Sequence, residues 1–364
     1  MPLLNFNDMN RLFIALTLAA SLASNCLGQD LLYDKIFDRF DNAAKNNLVI
    51  LGQKYNVNGD KLLVLNLFKY MNDRFDTIVW IIDETPSYVY YLNKYLETGN
   101  DDFRNVLIKQ KTPALRKTEK QFLDEMLQLY KQRGEFRIVS VTQIDQSNIT
   151  INLNTISEII SDLDSIPKLL EFDLNDLKLL TDNKVFAPSY AKINERIESI
   201  KSSFENYPEL YKELFKSDLV GFMSILSATQ MLIQYPLLNI SAELFEKRIE
   251  YSKPLIENYL ADSSVSILFQ TRSILASKKT GDFDATFTNW TPIIPRIDTA
   301  LRDNYNIIYG NIYYKNKPNA NINPCDGGFD FEKMDKLKGK VFSLEDCMNE
   351  SKNYYFDFII VNDK

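Results

Sequence analysis

Apolar side chains return every three to four positions along most of this chain, and that period limits what the chain can bury. Val64, Phe68, Met71, Phe75, Ile78 and Ile82 are spaced 4, 3, 4, 3, 4. Such positions share one face of a 3.6-residue helix, so the run predicts an amphipathic helix of about five turns. Three further stripes behave alike: Tyr190, Ile193, Ile197, Ile200 and Phe204; Phe245, Ile249, Ser252, Ile256 and Tyr259; Ile297, Leu301, Tyr305, Ile308 and Ile312. Pro254 is set to bend the second of these. None outlasts about three heptads, which suits bundle helices better than a long coiled coil. The segment 217–235 is apolar on most faces and reads as the central helix of the larger bundle.

Boundary signals agree with the stripes. Thr118 with Gln121, and Thr155 with Glu158, form capping-box patterns. Gly134 follows the basic turn at Lys131 and Arg133, as expected just past a helix end. Pro86, Pro167, Pro188, Pro208 and Pro236 separate periodic segments. Two stretches, 136–141 and 148–153, alternate with period two and predict a small β-hairpin. From Lys315 onward the chain reads as loop, with Tyr354 to Val361 as a buried strand or docking segment. The expected fold class is all-α, a multi-helix bundle in one or two subdomains. Its expected parts are a signal peptide (1–28), an N-terminal helical subdomain (29–134), an extended hairpin-like connector (135–154), a larger bundle (155–314) and a loop/strand region (315–364).

The first of those parts reads as an address. Arg11 precedes the apolar run Leu12–Ala20, and small residues follow, the order of a secretory leader. The run falls short of the roughly 20 residues a membrane-spanning helix needs. Cleavage after Gly28 removes Cys26 and leaves Cys325 and Cys347, which an oxidising compartment would join as one disulfide. In the chain-entropy model that loop stabilises by roughly 3 kcal/mol. Asn148, Asn239, Asn289 and Asn349 each begin an Asn-x-Ser/Thr triplet, so the expected product is a secreted, extracellular glycoprotein.

No histidine occurs anywhere in the 364 residues. That excludes Ser-His-Asp and Cys-His nucleophile activation, imidazole-ligated zinc, haem held by a proximal histidine and histidine-based acid switches. Carboxylate, Ser-Lys and Tyr chemistry and oxygen-ligand metals survive. The net charge of −7, with no dense basic tract, argues against a nucleic-acid partner.

Candidate sites are few. Asp83 and Glu84 close an apolar run, as paired carboxylates do at strand ends of barrel glycosidases. The stripe ending at Ile82 would instead make this a helix C-terminus, where negative charge opposes the dipole. Asp326, Asp330, Glu332 and Asp335 offer oxygen ligands near a turn, but their spacing does not match a calcium loop. Trp290 suits packing over a proline-rich turn. The reading assigns no catalytic residue, metal or cofactor. It expects a non-enzymatic helical factor acting on an unknown protein partner. The alternatives are a carrier of an apolar small molecule between helices and a carboxylate-dependent glycan hydrolase. The hydrolase would need two converging acids, one with a raised pKa.

Overall fold

Leu48 to Leu51, Ile78 to Ile81 and Ile267 to Phe269 are unbroken apolar runs, and the structure uses them as strands buried on both faces. The computed structural model describes residues 33–34, 36–38, 45–53, 60–82, 84–133, 136–140, 148–182, 190–234, 242–272, 276–277, 292–314, 341–343 and 356–362. Its strands are β1 (Asn46–Gln53), β2 (Ile78–Ile81), β3 (Arg137–Val139), β4 (Ser266–Arg272), β5 (Tyr305–Tyr314), β6 (Val341–Ser343) and β7 (Phe358–Asn362). They form one sheet in the order β3-β2-β4-β1-β5-β7-β6. All neighbours pair in parallel except β6, which runs antiparallel to β7.

Parallel neighbours need long crossovers, and helices supply them. Between β1 and β2 lies α1 (Asp60–Arg74). Between β2 and β3 lie α2 (Pro86–Thr98), α3 (Asp101–Lys109) and α4 (Arg116–Arg133). The long passage from β3 to β4 holds α5 (Asn148–Ser161), α6 (Lys168–Asp182), α7 (Tyr190–Asn206), α8 (Pro208–Phe215), α9 (Leu219–Gln234) and α10 (Ala242–Leu260). A short α11 (Thr299–Arg302) precedes β5.

Because successive strand residues face opposite ways, the sheet builds two cores. Val49, Leu51, Trp80, Leu268 and Ile312 pack under α1 to α4. Leu48, Ile50, Ile81, Phe269 and Ile359 pack with Ile249, Ile256 and Leu260 of α10. Helices α5 to α9 wrap a third core of their own, including Leu174, Ile197 and Phe222, and Tyr90 of α2 packs against it. Two glycines set close approaches. A Cβ at Gly310 would lie 2.3 Å from Cζ of Phe358 on the paired strand β7. One at Gly221 would lie 2.8 Å from Cδ2 of Tyr90, so the glycine lets α9 close onto α2.

The all-α expectation is therefore wrong: the fold is α/β, with a parallel sheet. A strand covered on both faces shows no alternation, so its apolar residues can fall by chance on a helical period. The stripe from Val64 is α1 only as far as Arg74, and Ile78 to Ile81 are β2, with Ile82 just past its end. Tyr305, Ile308 and Ile312 lie on β5, not on a helix. The expected hairpin is absent as well: β3 pairs in parallel with β2, and 148–153 opens α5. The helical stripes of α7 and α10, the buried helix α9 and the C-terminal strand are where the period placed them, Pro254 lying inside α10. The described residues contain no cysteine and hence no disulfide. Cys325, Cys347, Asn239, Asn289, Asn349, Trp290 and the acidic group 326–335 lie outside them. Among the described residues no helix is long and apolar enough to cross a membrane.

Candidate active site

Glu84 lies three residues past the end of β2 and precedes Thr85, whose side chain accepts a hydrogen bond from the Tyr88 amide and caps α2. Pro86 at the first helical position suits that start. The carboxylate thus sits before a helix N-terminus, where negative charge is favoured, and not at the helix C-terminus the apolar stripe suggested. Asp83 lies outside the described residues.

Four side chains from other elements converge on Glu84, at the edge where the parallel strands end, the usual ligand side of such sheets. Lys61 from the first turn of α1 lies 2.6 Å from Glu84 and 2.9 Å from Glu119 of α4. It also donates to the Tyr88 hydroxyl at 3.0 Å. Its three N–H groups are therefore all used. Tyr88 in turn donates to Glu119. Lys111, in the turn after α3, reaches Glu84 at 2.7 Å and lies 4.6 Å above the Tyr88 ring. Glu84 is its hydrogen-bonding partner among the described residues, which leaves two N–H directions open. Glu119 exposes 3% of its side chain and Lys61, Lys111 and Glu84 expose 15–18%, so solvent reaches the lysine–Glu84 side and not the floor.

The charges balance, two ammonium groups against two carboxylates, but they are not equivalent. Burial would raise the Glu84 pKa, yet Lys111 and then Lys61 outweigh it and hold the carboxyl at about 2. Burial pulls Lys61 down, and Glu119 with Glu84 more than restores it, so its pKa is raised. Burial also pulls Lys111 down, and Glu84 offsets this only in part, so its pKa stays below the ordinary lysine value. Burial, then Glu119 and Glu84, push Tyr88 well above an ordinary tyrosine. Lys111 is thus the cluster's most readily released proton, and Tyr88 remains a donor at any ordinary pH.

The same edge carries buried polar side chains. Trp80 Nε1 donates to Gln270 Oε1 at 3.1 Å, and Gln270 Nε2 donates to Gln53 Oε1 at 2.8 Å, a row that crosses β2, β4 and β1. Tyr314 at the end of β5 donates to Asp60 at the start of α1. Of all these groups the sequence singled out only Glu84. The missed signal lies in the helical stripes. Glu119 stands three, four and seven positions before Phe122, Leu123 and Met126, and Lys61 stands three and four before Val64 and Leu65. A charge on an apolar stripe must be paired, and the pairing partners are far away in sequence.

No protein-family model matches the sequence, and no curated protein sequence does. Solved structures with the same arrangement exist. A histidine-to-asparagine mutant of erythromycin esterase, in its open conformation, matches with a TM-score of 0.54 at 13% identity, over 87% of this chain and 90% of that one. The chain shares its fold with an esterase. A Bacillus cereus protein matches at 0.51 and 16% identity, over 77% of this chain and 68% of that one. A succinoglycan biosynthesis protein matches at 0.48 and 13% identity, over 78% and 68%.

These findings overturn the expectation of a non-enzymatic helical factor, since the fold is α/β and is one that an enzyme uses. The helices in which an apolar ligand was to be carried are an insertion between β3 and β4 of the sheet, not a bundle standing alone. The glycan-hydrolase alternative required an acid with a raised pKa, and Glu84 is shifted the other way by two lysines. Whatever the mutated histidine does in the esterase, no imidazole does it here.

Proposed function

We propose that this protein is an ester hydrolase that works without imidazole, using Lys111 as its base and Glu84 as the counter-charge. The carrying observation is Lys111 itself: a largely buried lysine of lowered pKa, with Glu84 as its one hydrogen-bonding partner among the described residues, at the carboxyl edge of a sheet whose fold is shared with an esterase. Glu84, held at about 2, is too weak a base to take a proton from water near neutrality. Neutral Lys111 is the stronger base, and Glu84 stabilises the ammonium it becomes, much as a carboxylate supports the histidine of a catalytic triad.

Lys111 takes a proton from water, and the hydroxide oxygen bonds to the ester carbonyl carbon. The tetrahedral intermediate then breaks its bond to the alkoxy oxygen, which recovers the proton from Lys111. An acid and an alcohol leave. Lys61, fully hydrogen-bonded, bridges Glu84 and Glu119. The leader-like run at Leu12–Ala20 places this chemistry outside the cell in the same reading.

The test is turnover of p-nitrophenyl butyrate and a panel of lactones by the full chain and by Lys111→Met, which keeps the apolar stem. The expected result is hydrolysis above the buffer rate, reduced on the order of 100-fold or more in the variant at unchanged folding. The wild-type rate should rise with pH along a limb that the variant lacks, because Lys111 must be neutral to act. No turnover on any member of the panel, or equal rates for the two proteins, would overturn the reading.

A further inference from the structure

A cavity of about 260 Å³ lies against the edge of the sheet, and none of the five residues of the charged cluster lines it. Strand β3 is that edge. Helix α2 closes one side through Val89, Tyr90 and Asn93, Tyr259 of α10 closes the other, and Gly221 and Ser224 of α9 form the roof. Helices α2 and α10 pack on opposite faces of the sheet, so the cavity straddles the strand edge, and the helical insertion overhangs it while leaving it partly open to solvent.

The edge backbone is not fully used. The Ile82 amide donates to the Val139 carbonyl at 2.9 Å, so the backbone of Val139 faces β2. In a parallel ladder the N–H and C=O of one residue point the same way and alternate with the next, so those of Ile138 point out into the cavity. The Ile138 carbonyl accepts from Asn93 Nδ2 at 3.1 Å. Its N–H has no partner among the described residues, although Ile138 is only 2% exposed. A buried unpaired amide costs about 1–3 kcal/mol, and such groups are rare unless a ligand or water meets them.

We infer that this cavity binds a small neutral carbonyl compound, its ring or branched apolar body between Val89, Tyr90 and Tyr259 and its carbonyl oxygen on the Ile138 amide. Size and charge both narrow the occupant. A single benzene ring fills an engineered cavity of about 150 Å³, so this one holds a ring with a short acyl arm. It is too small for a peptide strand. The charged side chains that line it are Lys94, Arg137, Glu97 and Asp218, with Lys94 and Asp218 already paired to each other, so no net charge is left to recruit an ion. The inference does not depend on hydrolysis at Lys111.

The experiment uses the full chain labelled with ¹⁵N at isoleucine. It is titrated with 4-fluoroacetophenone and, separately, with fluorobenzene, which keeps the ring and lacks the carbonyl. The ketone should move the Ile138 amide proton downfield in a saturable way, and fluorobenzene should leave it in place. Ser224→Phe, which fills the roof, should weaken ketone binding at least tenfold. An Ile138 amide that does not shift with the ketone would refute the proposal, whether or not the ketone binds elsewhere. So would wild-type affinity in a folded Ser224→Phe protein. Should that variant not fold, the wild-type titration decides alone.

Discussion

At the scale of single residues, Glu84 matters most, because two buried lysines depend on it. Replacing it with glutamine leaves Lys61 and Lys111 facing each other with one carboxylate between them. Removing one partner of a buried pair costs about 3–5 kcal/mol, more than the pair itself contributes. Urea unfolding of Glu84→Gln at pH 7 should show that loss. The sign of the pH dependence follows from the depressed pKa. The contribution of Glu84 is complete above the ordinary value of 4.5 and fades as the pH falls toward about 2. The gap between wild type and variant should therefore narrow from pH 5 to pH 2, and a gap that stays constant would show that Glu84 is not held by the lysines. Gly310 is a second sensitive position. An added methyl would meet the Phe358 ring, so Gly310→Ala should lose about 1–3 kcal/mol by overpacking. An unchanged unfolding midpoint would mean that β5 and β7 have slack that the geometry does not show.

Among the elements, α2 links the two sites. Its N-terminus lies beside Glu84 and its side lines the edge cavity. Thr85→Ala removes the cap on the Tyr88 amide and should cost about 1 kcal/mol. It should also lower turnover at the proposed site, because Tyr88 and Glu84 flank that cap, and a stability loss with unaltered turnover would separate α2 from the chemistry. Two helices were readable in the sequence because one face meets the core and the other meets water. The stripes at Ile193, Ile197 and Ile200 and at Ile249 and Ile256 are of that kind. Strands were not readable. In β1 and β2 every position at the strand centre is buried, so the period-two signature never forms. The run from Phe75 to Ile82 then passed for a continuation of the helix before it. Misplacing that one boundary turned Glu84 from a strand-end carboxylate into a helix-end one.

For the molecule as a whole, the sheet joins segments separated by up to about 260 residues, as in the pairing of Asn46 with Tyr305. Native-state hydrogen exchange should find the slowest amides in β1, which has a parallel partner on each side, and faster ones in β3 at the edge. Equal protection of β1 and β3 would mean that the helical insertion seals the edge as well as pairing would, leaving no room for a ligand there. The sequence by itself placed the amphipathic helices α7 and α10 and the strongly apolar helix α9, and showed that no imidazole chemistry is available, because these depend on composition and on contacts within one turn. Only the tertiary structure decided that the apolar runs are parallel strands and that Lys61, Glu84, Tyr88, Lys111 and Glu119 meet. Parallel pairing and buried ion pairs are satisfied by partners tens to hundreds of residues away, and local periodicity carries no information about which distant segment supplies them.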